Sequence, residues 1–430
     1  MLIRLRHLAT SLAFIALAVS TAHAATWPGL RGADGRGVSA DKNLPLEWSE
    51  SKNVRWSTEL VGRGDSSPAV TSDRVYLTSQ TEDDALWVLS IERTSGKLLW
   101  KKQVAQGKLV AAGPANLYVH RHNPATSSPV ADEKQVYAFF GTGHLVCLDR
   151  DGNKQWERNV AQEYGQFNIT FGMGASPRLW GDRLYLAIMH KGPSYVLAID
   201  TTTGKNVWKT DRKHPAKDDG PDAYSTPVID NRPDGPQLLV SGSDHIDAYD
   251  PRTGKRLWLS SGLTIDSPYG RVIASPVVSD GVIVATSGNP GGHGKGLAIA
   301  LTAGGKGDVS RTHHRWTLEK TSADCSTPVA LDGLFYNIRD DGVAACLDIK
   351  TGKAVWKKRI SGTYRASLVA GDGKVYFLDR DGKCTVIAAG REGKVLATNS
   401  LSGAFFATPA ISDGVIYLRS FDRLYAIGSE

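Results

Sequence analysis

Short apolar runs alternate with polar turns along most of the chain. The run at 184–188 lies between turns at Gly181-Asp182 and Asp200-Thr201, and further turns stand at Ser72-Asp73, Asp332-Gly333 and Asp413-Gly414. No long window carries a 3.6-residue period, so the runs predict strands joined by tight turns. One unit recurs. It opens with a small residue, then Ser or Thr, then usually Pro: Ser67-Pro68, Ser128-Pro129, Ser176-Pro177, Thr226-Pro227, Ser275-Pro276, Thr327-Pro328, Ser367-Leu368 and Thr408-Pro409. The residue before each anchor is Ala or Ser. Seven of the units carry a Tyr or Val nine residues on (Tyr76, Tyr137, Tyr185, Val284, Tyr336, Tyr376, Tyr417); the fourth has a four-residue insertion and places Leu239 there. Most units then close on a Trp: Trp100, Trp156, Trp208, Trp258, Trp316 and Trp356, with Leu396 in the seventh.

The anchors span positions 67 to 408, a mean period of about 49 residues, in the range of propeller blades. Each period holds about four apolar runs, one four-stranded antiparallel sheet. The prediction is an all-β, eight-bladed propeller, with seven blades as the alternative. Ala or Ser fits the crowded axis, and the Tyr and Trp columns fill the space where blades diverge. After Thr408 there is room for only three strands. Asn53-Val54-Arg55-Trp56 resembles a closing strand without a blade of its own, so it is expected to complete the eighth blade and close the ring. Residues 25–52 are expected to cross the propeller as a strap, and 53–430 to form the propeller itself. Longer connections at 105–126, 211–224 and 302–313 are the places where a rigid scaffold carries specificity.

Composition agrees: 45 Gly, 11 Trp and 14 Tyr against 3 Met favour strands and turns. Residues 1–24 read as a leader. Arg4 and Arg6 precede a short apolar stretch, and Ala22-His23-Ala24 is an A-x-A cleavage site. Export, with the mature chain starting near Ala25 in the periplasm or outside the cell, is therefore expected, and no later segment is long enough to span a membrane. Removing the leader lowers the formal net charge from +7 to about +5, a mild basic bias. With no Lys/Arg block and no nucleic-acid motif, nucleic acid is not an expected partner. Cys147, Cys325, Cys346 and Cys384 form no C-x-x-C pair, and their disulfide pairing is open.

Segments just before the anchors should gather at one mouth of the channel. They bring Arg63 and Asp65; His120, His122 and Asn123; Phe167 and Asn168; Asp222 and Tyr224; Tyr269 and Arg271; Asp324 and Cys325; Tyr364 and Arg365; and Phe405 and Phe406. Acids, bases and rings from different blades suit a polar ligand or glycan pocket. His120 and His122 could share a strand face, but one pair without a third ligand predicts no metal site. The adjacent His313-His314 rank lower. Arg63-Gly64-Asp65 reads as a chance match to an adhesion tripeptide. The glycine-rich run 288–296, with Lys295, lacks the features of a phosphate loop. Asp149-Arg150-Asp151-Gly152 and Asp379-Arg380-Asp381-Gly382 sit where hairpin turns belong. No G-x-S-x-G elbow is present.

The blade ending in Asp200-Thr201-Thr202-Thr203-Gly204-Lys205 before Trp208, and again in 348–353 before Trp356, resembles the repeat of pyrroloquinoline-quinone (PQQ) dehydrogenases and their non-enzymatic relatives. The opening Trp27-Pro28-Gly29-Leu30-Arg31-Gly32, with Leu44-Pro45, Trp48 and Gly62-Arg63-Gly64, is similar to exported PQQ-like β-propeller proteins. The resemblance implies the propeller over 27–428, and it raises PQQ with Ca²⁺ as a candidate cofactor. The dehydrogenases' adjacent Cys-Cys pair has no counterpart here. The chain also resembles the scaffold lipoprotein of outer-membrane barrel assembly, without its lipobox. The expectation is a monomeric binding or scaffold module without cofactor or catalysis, its partner a protein or glycan of the cell envelope. The alternatives are a quinoprotein-type oxidoreductase and a polysaccharide hydrolase or lyase using acids such as Asp65, Asp222 and Asp324.

Overall fold

The computed structural model describes residues 26–114, 121–289, 296–360 and 362–428. The expected leader, His120 and most of the glycine-rich run 288–296 lie outside them. Eight antiparallel four-stranded sheets follow one another in chain order as an eight-bladed propeller. Blades 1 to 7 begin at residues 69, 130, 178, 228, 277, 329 and 369. Blade 8 takes Ala410–Ser412, Val415–Arg419 and Arg423–Ile427 from the end of the chain and Val54–Glu59 from its start. Val54–Glu59 pairs antiparallel with Arg423–Ile427, so the two ends of the propeller are hydrogen-bonded into one sheet.

The repeat columns coincide in register. The residue two after each anchor pairs with the bulky column: Ala69 with Tyr76, Val130 with Tyr137, Val329 with Tyr336 and Ala410 with Tyr417. In blade 4, Val228 pairs with Leu239, so the insertion is absorbed in the turn and the register is kept.

Two sets of contacts lock neighbouring blades. Near the axis, the backbone N–H of one anchor donates to the anchor hydroxyl of the next blade. Ser67 bonds Ser128 at 2.9 Å, Ser128 bonds Ser176 at 3.0 Å, and Thr226 bonds Ser275 at 3.0 Å. Ser275 bonds Thr327 at 3.1 Å, Thr327 bonds Ser367 at 3.1 Å, and Ser367 bonds Thr408 at 3.0 Å. Thr408 then returns to Ser67 at 2.9 Å. The belt explains why the anchor is Ser or Thr: without the hydroxyl, a buried N–H would lose its acceptor, at about 1–3 kcal/mol each.

Further out, the closing Trp of one blade lies on the turn glycine of the next. A Cβ on Gly204 would stand 2.6 Å from the Trp156 ring, and one on Gly254 would stand 2.5 Å from the Trp208 ring. Trp56, in the closing strand, covers Gly96 in the same way. The indole N–H donates to a carbonyl of the same turn: Trp156 to Thr201 at 2.9 Å, Trp208 to Pro251 at 3.0 Å and Trp56 to Arg93 at 3.0 Å. Trp56, Trp100, Trp156, Trp208 and Trp356 also tilt against a Tyr of their own blade, as Trp208 does against Tyr185 at 6.0 Å, while Trp316 packs edge-on against Phe335 of the next blade. Trp258 is the exception. It bonds Gln237, and the long connection in the fifth unit adds Gly307–Asp308 as a parallel strand beside Arg256–Ser261.

Residues 26–52 cross the post-anchor end of the axis. Trp27 bridges Val70 of blade 1, the carbonyl of Pro28 accepts from Ala131 of blade 2, and the carbonyl of Asp34 accepts from Ile229 of blade 4. Val38–Ser39 adds a parallel strand to Val369–Gly371 of blade 7. Arg31, fully buried, donates to the carbonyls of Leu368 at 2.7 Å and Pro328 at 2.6 Å. Arg178 reaches from blade 3 to the carbonyl of Leu30 at 2.8 Å.

Candidate functional site

The channel is therefore a pit with one end walled by the N-terminal segment. Leu30 forms part of its wall, and the eight anchors surround it. Its cavity is about 200 Å³. The other end carries the pre-anchor loops.

At that end Asp324 lies at the centre of a guanidinium cluster. Its side chain has no exposed surface, and Arg365 lies 3.0 Å away, Arg271 3.4 Å and Arg121 3.7 Å, from three different blades or connections. The Asp324 backbone N–H donates to Asp340 at 3.0 Å. Arg365 also donates to the Cys325 thiol at 3.1 Å. Burial pushes that thiol up to about 12, with the neighbouring Asp324 charge adding to it, so it stays protonated. Phe171 lies between two of the cations, its ring 4.2 Å from the Arg271 guanidinium and 5.4 Å from that of Arg121. Across the mouth, Arg63 covers the Phe421 ring at 3.9 Å, and Phe421 stacks on Phe406 at 4.9 Å.

Of the positions singled out from sequence, Asp65, His122, Tyr224, Arg271 and Arg365 line the pit, together with Cys325 and Phe406. Asp324 stands directly behind the arginines. The others do different work. Asn123 caps the short turn Pro124–Thr126 and donates to the carbonyl of Arg63 at 2.9 Å. Asp222 accepts from the Thr170 N–H at 2.8 Å and so holds the loop that carries Phe171. Phe167 packs on Phe139 and His190, Phe405 on Tyr425, and Tyr364 is fully buried. Asn168 is exposed, and Tyr269 is 55% exposed. Distance from the anchor accounts for Phe167 and Asn168, nine and eight residues before Ser176, whereas Tyr364 and Phe405, three before theirs, are buried in the core instead. Sequence reading missed Arg121 and Phe171. Arg121 lies between the two histidines that drew attention, and the only signal for either was proximity to an anchor.

His122 donates through Nε2 to the carbonyl of Phe171, and its Nδ1 has no partner among the described residues. Burial holds this ring down to about 4, so it is neutral at pH 7. Burial pushes the Asp65 carboxyl up to about 6, against the opposing pull of Arg63 and Arg419. A carboxyl raised on folding keeps its proton longer in the native state. Its contribution is favourable at low pH and is lost as pH rises from about 4 to about 6. Asp65→Asn should therefore be more stable than wild type at pH 7, by about 1–3 kcal/mol, and equal to it near pH 4. Denaturant melts at the two pH values check this, and an equal difference at both would contradict it.

All four cysteines are free thiols. No group of three or more His, Cys, Asp or Glu among the described residues could hold a metal ion. Of the three acids considered for polysaccharide chemistry, only Asp65 lines the pit. The PQQ and Ca²⁺ that the fold suggests do not fit these residues. Asp324 is committed to three arginines, no cysteine pair covers the pit, and about 200 Å³ is below the roughly 300–1,000 Å³ of pockets for drug-sized ligands.

Fold and site define a PQQ-like β-propeller whose channel is walled at one end and ringed by arginines at the other. Family comparison agrees over residues 25–214, 170–373, 307–391 and 340–428, and the chain belongs to the PQQ_2 family, described as outer membrane protein assembly factor BamB. It is 21% identical over 294 residues to outer membrane protein assembly factor BamB of Yersinia pestis, covering 66% of this chain and 67% of that one. Among solved structures it is similar to BamB from Moraxella catarrhalis, with TM-score 0.60 at 15% identity over 87% of this chain and 99% of that one. It is also similar to a europium-containing methanol dehydrogenase, with TM-score 0.71 at 12% identity over 94% of this chain and 98% of that one. At such identities the structural likeness shows the fold alone. No helix among the described residues is long and apolar enough to cross a membrane.

Proposed function

We propose that this chain is an exported, protein-binding scaffold of the cell envelope that assists the assembly of outer membrane proteins. The observation that carries the reading is the family match, which extends from residue 25 to residue 428 and so takes in the whole ring. The closed ring supports it: a propeller whose anchors are hydrogen-bonded across seven of eight blade junctions keeps its loops in fixed relative positions, which is what a docking platform requires. Catalysis is not part of this reading. Deleting the chain from its host should lower the amount of folded outer membrane protein, and re-expression of the intact chain should restore it. Heat-modifiable mobility of outer membrane proteins on gels is the readout. Unchanged folded protein in the deletion strain would overturn the proposal.

A further inference from the structure

We propose that the pit binds a small oxyanion, a carboxylate or phosphate group, on the arginines of its mouth and the hydroxyls of its wall. Three observations lead there. Among the described charged groups that line the pit, Arg121, Arg271 and Arg365 face a single carboxylate, Asp65. Asp324, with no exposed surface, holds the three guanidiniums from behind, and Arg121 and Arg365 keep part of their side chains exposed while Arg271 is held against Phe171. Planar guanidiniums held in this way match carboxylate and phosphate oxygens in pairs.

The anchor belt supplies the second observation. In seven of the eight links the anchor hydroxyl oxygen accepts a backbone N–H from the neighbouring blade. Each O–H is then left to donate, and all eight anchors line the pit. The wall is thus a ring of donors, which suits an acceptor-only ligand. Size is the third observation. A cavity of about 200 Å³ closed at one end by Leu30 admits a compact anion and excludes a large polycyclic one.

The same oxyanion could belong to a free organic acid or phosphate, or to the C-terminal carboxylate of a bound polypeptide. The inference does not depend on the scaffold reading, and its test is separate. Thermal-shift titrations of the purified protein would use succinate, inorganic phosphate, a short peptide with a free C-terminus, the same peptide amidated, and PQQ with Ca²⁺. Chloride at matched ionic strength is the control. A saturable rise in Tm with succinate, phosphate or the free-acid peptide, absent with chloride, is expected. A response to the free-acid peptide alone assigns the polypeptide source, and a response to succinate or phosphate assigns the free solute.

Arg365→Gln should weaken binding roughly tenfold or more. Gly174 faces the cavity beside His122, Thr126 and Tyr224, and a Cβ there would stand 3.8 Å from each. Gly174→Leu should therefore block binding while every charge stays in place. If Arg365→Gln does not fold, Gly174→Leu decides alone. No saturable response to any of the small anions or the free-acid peptide, an undiminished response in Gly174→Leu, or a response to PQQ alone would overturn the proposal.

Discussion

Arg31→Ala should lower the stability of the protein by about 3–5 kcal/mol and open the walled end of the pit. The Arg31 guanidinium donates to the carbonyls of Leu368, Pro328 and Thr327 on blades 6 and 7, and to those of Gly35 and Arg36 in its own segment. Removing it orphans buried acceptors on two neighbouring blades and in the N-terminal segment at once. Burying this cation is itself costly: desolvation, and then the charge of Arg178, hold its pKa down to about 9. Arg31→Met, which fills the volume and removes the desolvation cost, should therefore be milder than Arg31→Ala. Denaturant midpoints give the stability. Hydrogen exchange gives the location, because the Gly37 and Ala370 amides, bonded to Arg31 and Gly37 carbonyls, should lose protection first. Wild-type stability with wild-type protection at these two amides would contradict the account of the wall.

The second large effect concerns the outer lock and has an internal control. Gly254 and Gly281 share a φ of +72°, so an alanine at either pays the same left-handed backbone cost, about 1–2 kcal/mol. A Cβ at Gly281 would meet nothing within 4 Å, whereas at Gly254 it would stand 2.5 Å from the Trp208 ring. Gly254→Ala should add an overpacking cost and lose about 2–5 kcal/mol in total. Gly281→Ala should lose only the backbone part. Equal losses would mean that the Trp–Gly contact does not hold blades 3 and 4 together.

These locks show what sequence reading could reach. The columns of Ser/Thr, Tyr and Trp were legible because every blade repeats the same local environment. The closing strand was legible because Asn53-Val54-Arg55-Trp56 ends on the Trp that other blades use. Why the anchor is Ser or Thr was not legible, because its hydroxyl serves the next blade: Ser67 and Ser128 are 61 positions apart. The Trp column read as bulk within a blade, but its indole N–H and its ring belong equally to the following turn. At the mouth, Asp324, Arg271 and Arg365 could be named from their offset to an anchor. Arg121 and Phe171 could not, since they sit in connections of irregular length. Arg31 and Arg178 carry no sequence signal of burial at all, because an arginine is ordinarily a surface residue.

The scaffold role is tested most directly by site-specific photo-cross-linking in the living host. A photoreactive residue would be placed at exposed Tyr269, on the loop side of the ring, and at Gly281, in a turn on the opposite side. The account predicts a discrete adduct with a protein of the outer membrane assembly pathway from at least one of these positions. It also predicts that the adduct is lost when Arg31→Ala disturbs the ring. Adducts absent from both positions, with outer membrane protein assembly unimpaired in cells lacking the chain, would contradict it.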